Sequence, residues 1–516
     1  MPKLRALALF HTKHAGTLPA PGQRIQSTFK PLALLLLITL AAIAVEGYHP
    51  GIEDDGVYLA AIHRDLNPAL YPHDAEFFKL QLQATVFDKL IASSVRLTRL
   101  PLPAVLLMWQ TLTIFLVLLG CYAISRRCFS EYHAQWAAVC TVAALLTIPV
   151  AGTALYIIDQ YLHPRALATA ALLFGIVAIL DRRYWRASLL LLIACVIHPL
   201  MGSFGVSYCV FLGMKRIRGL SQWSNAKGQA ATAASMIVFP LAWVLEPVNA
   251  SWRAAANTRD YYFLSRWTWY EWLGVIAPLF LIYGFSRLAR RKGWSVMERM
   301  NQRLVGFGVF QLLVAVVIML PSRLERFRAF QPMRYLHLLY LLFLLFAGGV
   351  IGQWVLRRSA VRWVLFFVPL CAGMFIAQRK LFPNSSHLEL TPSHPRNEWV
   401  QAFDWARDNT PTNALFGLDP YYMEARGEDY HSFRALAERS TLADYVKDAA
   451  VVTQVPELAP RWQREVDAEK GWKNFQLGNF KQLKTEYDVT WVLLSKPVTG
   501  LQCPYRNPAV AVCRID

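Results

Sequence analysis

The 516-residue sequence predicts an α-helical protein that crosses a membrane about eleven times and carries a small α/β or α+β domain on the outer side. Three observations predict this class. The chain is 55% hydrophobic and only 17% charged, which is too few charges for a soluble protein of ordinary composition. Its apolar residues fall in long uncharged runs, among them Pro101 to Ile124, Leu304 to Pro321 and Tyr335 to Leu356. Runs of about 18 or more apolar residues are long enough to cross the hydrocarbon of a bilayer. The third observation is that beyond residue 379 no such run recurs.

Taken in order, the expected spans are 31–46, 101–124, 134–157, 164–181, 186–198, 199–214, 228–246, 272–287, 303–321, 334–356 and 362–379. Residues 1–30 form a short inner segment, and 46–100 form a long outer loop. The fifth and sixth spans are short and share His198-Pro199, so they could instead make a re-entrant hairpin. The first run begins some 30 residues into the chain, with only Ala41, Ala42 and Ala44 to suggest cleavage. It is therefore expected to stay as a span rather than to be a signal peptide. Residues 380–516 have the length and balanced charge of a soluble domain. There "EWVQAFDWARDNTP" and "HSFRALAERS" read as helices, and "ALFGL", "VTWVLL" and "AVAVCRI" as strands.

Charge sets the orientation. The formal net charge is +19, which by itself would suit a nucleic-acid partner. Its placement argues otherwise: the N-terminal segment and alternate connections hold 23 basic residues against three acids, Glu131, Asp181 and Glu298. Basic residues concentrate in cytoplasmic loops. The N-terminus is therefore expected inside, the C-terminal domain outside, and no nucleic acid is needed. A bacterial plasma membrane is the expected location.

Three kinds of chemistry collect on the outer side. The first is acidic: Glu53, Asp54 and Asp55 open the long loop, and Asp159 follows the third span. Such carboxylates can serve as a general base or hold an acceptor hydroxyl, and could bind a divalent cation; the bland reading is solvated loop acids or helix capping. The second is cationic: Arg165, Arg323, Arg326, Arg328 and Arg334 lie where the orientation rule disfavours them. Guanidinium forks suit phosphate oxygens, and ordinary lipid headgroups are the bland alternative. The third is the aromatic stretch "RDYYFLSRWTWYEW", which reads as an interfacial belt. The pairs His49-Pro50, His163-Pro164 and His198-Pro199 read mainly as helix starts. Cys503 and Cys513, ten residues apart in the outer domain, are candidates for a disulfide.

The layout of many spans, acidic first outer loop, second acid after the third span and soluble outer C-terminal domain resembles the GT-C superfamily of integral-membrane glycosyltransferases. "EDD" at 53–55 looks like the family's first-loop acidic motif and Asp159 like its second acid. "QPMR" at 331–334 and "HPR" at 163–165 are similar to outer-face arginine motifs of bacterial members. The resemblance implies transfer of a sugar from a polyprenyl-phosphate donor to an acceptor outside the membrane. Asp54 or Asp55 would take the proton of the attacking hydroxyl, and Asp159 would orient the acceptor or the other acid. Arg334, with Arg165 or Arg326, would neutralise the departing lipid phosphate. Two other classes fit the same layout: a flippase for a lipid-linked saccharide, which needs no base, and a non-catalytic subunit of envelope assembly. The partners expected in either transport or catalysis are a polyprenyl-phosphate-linked sugar and membrane lipids.

Overall fold

The computed structural model describes residues 21–214, 248–390, 395–424 and 429–516, with side chains from residue 30 onward. Among these, five helices are long and apolar enough to cross a membrane: Leu102–Cys128, Trp269–Lys292, Ser295–Met319, Pro332–Leu356 and Ala360–Leu381. Pro21–Glu46 is a further long helix. Pro164–Leu180, Tyr184–Ile197 and Pro199–Gly213 are shorter apolar helices. The expected run at 228–246 lies outside the described residues.

One expected span changes shape. The run at 134–157 is helical only over Tyr132–Ala143. Its second half turns through Thr147 into a small antiparallel hairpin, β1 (Pro149–Val150) with β2 (Leu155–Tyr156). Pro149 and Gly152 lie in this stretch, and neither favours helix continuation. At His198-Pro199 the chain folds back. A Cβ on Gly202 would lie 2.6 Å from the Cα of Cys195, so only glycine permits the two short helices to approach so closely.

The two ends of the helical bundle differ in chemistry. Near the start of Leu102–Cys128, the Gln110 amide donates to the Asp159 carbonyl at 2.9 Å. Near its finish, Arg127 pairs with Asp181 at 2.6 Å. At 1.5 Å per residue these two levels lie about 25 Å apart. Glu131 meets Arg358 at 3.7 Å beside the second level. The basic connections thus gather at one end, and Asp159 with its neighbours at the other.

The loop 46–100 folds as three helices, Asp55–Leu66, Glu76–Ala84 and Phe87–Thr98. It does not stand apart from the C-terminal region. Val57, Ala60, Phe77 and Phe78 share one buried cluster with Val451, Val452, Trp462 and Trp252. Arg434, 2% exposed, pairs inside that interface with Asp74 at 2.7 Å and Asp448 at 2.9 Å. Gly51, at φ +88°, sits so close to Leu436 that a Cβ would meet its side chain at 2.5 Å. A backbone strap adds to this contact: Tyr48 bridges Leu388, and Glu389 accepts from His49 at 3.2 Å and His431 at 3.0 Å.

The C-terminal region is built on a five-stranded mixed sheet in the order β4-β3-β5-β7-β6. The strands are β3 (Leu415–Gly417), β4 (Ser440–Thr441), β5 (Trp491–Leu494), β6 (Gln502–Arg506) and β7 (Ala511–Arg514). β4, β3 and β5 are parallel, and β5, β7 and β6 antiparallel. The helix Glu398–Asn409 covers it, started by Asn397, whose side chain accepts from the amides of Trp399 and Val400. Cys503 and Cys513 are bridged across the β6–β7 hairpin, their Cα atoms 3.9 Å apart.

Candidate functional site

Asp54 stands at the N-terminus of the Asp55–Leu66 helix but does not cap it: its side chain makes no capping hydrogen bond. The carboxylate is turned instead toward two cationic or proton-bearing groups. Oδ1 lies 3.2 Å from Nζ of Lys447, and Oδ2 lies 3.5 Å from Nε2 of His163. The Asp54 amide donates to the Tyr161 hydroxyl at 3.2 Å. Glu53, at φ 51°, adopts a left-handed conformation unusual for a residue with a side chain. Its carboxylate is the second partner of Lys447.

The tautomer of His163 follows from its neighbours. Its Nδ1 accepts from the Arg165 amide at 3.0 Å, capping the Pro164–Leu180 helix. The ring proton therefore sits on Nε2, facing Asp54. The same first helical turn carries Arg165, 2% exposed. A single Arg165 nitrogen, Nη2, contacts both oxygens of Asp159, at 2.6 and 2.7 Å. Nε and Nη1 of Arg165 are buried with no hydrogen-bond partner. Guanidinium N–H groups left unpaired in a protein interior are costly.

Asp54 and Asp55 differ sharply in environment. The Asp54 side chain keeps 39% exposure while Lys447 and His163 contact its carboxylate; we refer to these groups and their neighbours as the Asp54 recess. Burial pushes its pKa up, but Lys447, His163 and Arg165 more than offset that and hold it well below the usual carboxylate range. Asp55 is 5% exposed and turns inward, where Oδ2 accepts from the Gly51 amide at 2.8 Å. Burial, aided by the charges of Asp54 and Asp159, pushes its pKa well above the usual range, against the Gly51 bond. Adjacent acids are thus driven apart into one ionised and one neutral carboxyl.

The expected site residues are therefore sorted by the structure. Asp54, Asp159 and Arg165 come together. Asp55 is turned away from the recess, which removes it as an equivalent of Asp54. Asp159 is neutralised by Arg165 and is 6% exposed, so it holds the guanidinium in place rather than facing an acceptor. Arg334 belongs to the same neighbourhood: its charge and that of Arg165 both reach Tyr58, whose ring edge packs on His163 with centroids 4.8 Å apart. Nε of Arg334 is buried without a partner. Arg326 is buried in the Ser322–Phe330 turn that leads toward Arg334. Of the three His-Pro pairs, His163 and His198 do cap helices, whereas His49 bonds Glu389.

The aromatic stretch divides in two. Trp269 and Tyr270 are exposed, at 76% and 58%, as a membrane-interface belt requires. Tyr262 is fully buried, and its hydroxyl lies 2.9 Å from Thr453 and 3.3 Å from the Gln331 amide nitrogen. Gln331 precedes Pro332 at φ 48°, another left-handed residue beside the recess.

No known family model matches this chain, and no curated protein matches it in sequence. Its chemistry is therefore read from the recess itself.

Lys447 had no mark in the sequence, and Arg259 stood at the head of the aromatic stretch without a role assigned to it. Lys447 comes from the outer domain, where charges are balanced and no motif surrounds it. Arg259 follows the Ala250–Asn257 helix and acts electrostatically on both Lys447 and Tyr262. Among the described residues, no group of three or more His, Cys, Asp or Glu side chains is arranged to hold a metal ion. Asp54 and Asp159 are instead matched with cations.

Proposed function

We propose that this protein is a membrane glycosyltransferase that moves a sugar from a polyprenyl-phosphate donor to an acceptor hydroxyl on the outer side of a bacterial plasma membrane. The reading keeps the likeness to the GT-C superfamily as its frame. One observation carries it: an ionised, partly exposed Asp54 contacts His163, which caps the helical turn that carries Arg165, and Nε and Nη1 of Arg165 have no hydrogen-bond partner. A carboxylate base and a guanidinium that keeps unpaired N–H donors are the two groups that glycosyl transfer from a lipid phosphate would use.

In the reaction, the acceptor oxygen attacks the anomeric carbon and gives its proton to Asp54. The bond from that carbon to the phosphate oxygen breaks, and its electron pair stays on the polyprenyl phosphate. Arg165, steadied by Asp159, and Arg334 meet the charge that grows there. His163 Nε2–H orients Asp54. Five apolar helices supply the setting for a lipid tail. Neutral Asp55 supports the loop and takes no part in the proton transfer.

The test is direct. Purified protein is extracted and its bound lipids are identified by mass spectrometry, and transfer from the identified donor is then assayed. Asp54→Asn should lower the rate by roughly 100-fold or more while the fold survives. Undiminished transfer by Asp54→Asn would remove the catalytic reading and leave that of a flippase or a scaffold.

A further inference from the structure

The segment from Trp252 to Trp267 presents three arginines to the outer side, and their fates differ. Arg253 is held by three hydrogen bonds to Glu325, the shortest at 2.8 Å. Arg266 pairs with Asp260 at 2.9 Å and also donates to the Asn257 carbonyl. Both are largely exposed and already neutralised. Arg259 lies between them in sequence and is the reverse case: Nε and Nη2 are buried and have no partner. Nearby carboxylates exist, yet Asp260 and Glu325 serve the other two arginines.

Arg259 is also placed by tertiary packing rather than left at an edge. The Ala250–Asn257 helix packs on Asp448–Gln454, and Trp252 anchors it by donating to the Thr453 carbonyl at 3.1 Å. Lys447 immediately precedes that second helix, so its ammonium and the Arg259 guanidinium face one another's field. Lys447 occupies Oδ1 of Asp54, whereas the His163 and Arg165 group lies on the Oδ2 side. Asp54 thus has a cationic or proton-bearing group on each side: His163 of the Pro164–Leu180 helix start on one, and Lys447 on the other, next to the helix pair that Arg259 follows.

We propose that Arg259, beside Lys447, forms a second oxyanion subsite, and that it receives an anionic group carried by the acceptor. The assignment to an acceptor rests on the glycosyl-transfer reading, while the oxyanion subsite does not depend on it. Two buried N–H donors on a planar cation match a phosphoryl or carboxylate group. A substrate oxyanion seated there would hold the attacking hydroxyl over Asp54 from the side away from the donor phosphate.

Site-resolved arginine modification tests it. Full-length protein in phosphatidylcholine nanodiscs is treated with phenylglyoxal, with and without inorganic phosphate, and each arginine peptide is quantified by mass spectrometry. Phosphate should slow modification of Arg259 by about tenfold, the effect of one strong charge-assisted contact, and leave exposed Arg266 unchanged. The same protection in phosphatidylglycerol nanodiscs without added phosphate would identify a lipid headgroup as the source. Equal rates at Arg259 under all conditions would overturn the proposal. Protection of Arg165 or Arg334 without Arg259 would overturn it too, yet leave the donor-phosphate reading standing; protection of Arg259 alone would support it and count against that reading. Should Arg259 not react at all, melting temperatures decide. The rise produced by phosphate should shrink in Arg259→Gln and persist in Arg266→Gln, and a rise undiminished in Arg259→Gln would sink the idea.

Discussion

Nζ of Lys447 lies 3.2 Å from Oδ1 of Asp54, joining residues 393 positions apart. Through this contact the outer domain reaches the candidate base at the mouth of the helical bundle. It also fixes the protonation of that base, because Lys447 is the strongest of the charges that hold Asp54 ionised against burial.

Removing Lys447 should therefore move the pH profile in a defined direction. With Lys447→Gln the pKa of Asp54 rises. The acid limb of the rate profile should shift to higher pH, because a close ion-pair partner is lost. An unchanged acid limb would mean that Asp54 is not the group whose ionisation the rate reports.

Asp55 gives the opposite sign. Its pKa is higher in the folded protein than in the unfolded chain, so the native state binds more protons there. Stability is then lost as pH rises above the unfolded value of about 3.9. Asp55→Asn keeps an acceptor for the Gly51 amide and cannot ionise. It should melt higher than the parent at neutral pH, with a flatter dependence as pH rises above the unfolded value, and should leave the rate of any transfer reaction similar. A variant that melts lower at pH 7 would refute the neutral assignment.

The interface between the loop 46–100 and the outer domain depends on Arg434. Both its carboxylate partners are fully buried. Arg434→Ala should cost about 3–5 kcal/mol, because it strands Asp74 and Asp448 without a counter-charge. Hydrogen exchange should then rise in Glu76–Ala84 and Asp448–Gln454 together. A rise in one segment alone would show that they are not one cooperative unit.

Orientation can be read by labelling. In a variant lacking the free cysteines, a cysteine at Glu398 should react with an impermeant reagent in intact cells, and one at Arg358 should react only after the membrane is opened. The motive is the cluster of basic connections about 25 Å from the Asp159 level. The reverse pattern would place the recess in the cytoplasm and remove a donor presented outside.

Local signals made much of the architecture legible. Uncharged runs place long helices at Leu102–Cys128 and Ala360–Leu381, since hydrophobic length is a property of a contiguous segment. The strand runs at Phe416, Val492 and Val512 carry their own pattern, as does the helix that begins after Asn397. The sequence of residues 134–157 misleads for the same reason. It is apolar throughout, and composition does not reveal that the chain turns at Thr147 into a hairpin.

The sequence by itself determined that acids and arginines gather at the ends of apolar helices, because each lies beside a long uncharged run. Only the tertiary structure decided which of them form a site. Asp54 and Asp55 are neighbours of identical chemistry, and a helix start turns one into the recess and the other toward the Gly51 amide. Lys447 sits in a stretch with no motif, and Arg259 opens an aromatic stretch that gives no sign of a charge role, because their role is a matter of what they face across an interface. Charge chemistry depends on distance and burial, and both are set by residues hundreds of positions away.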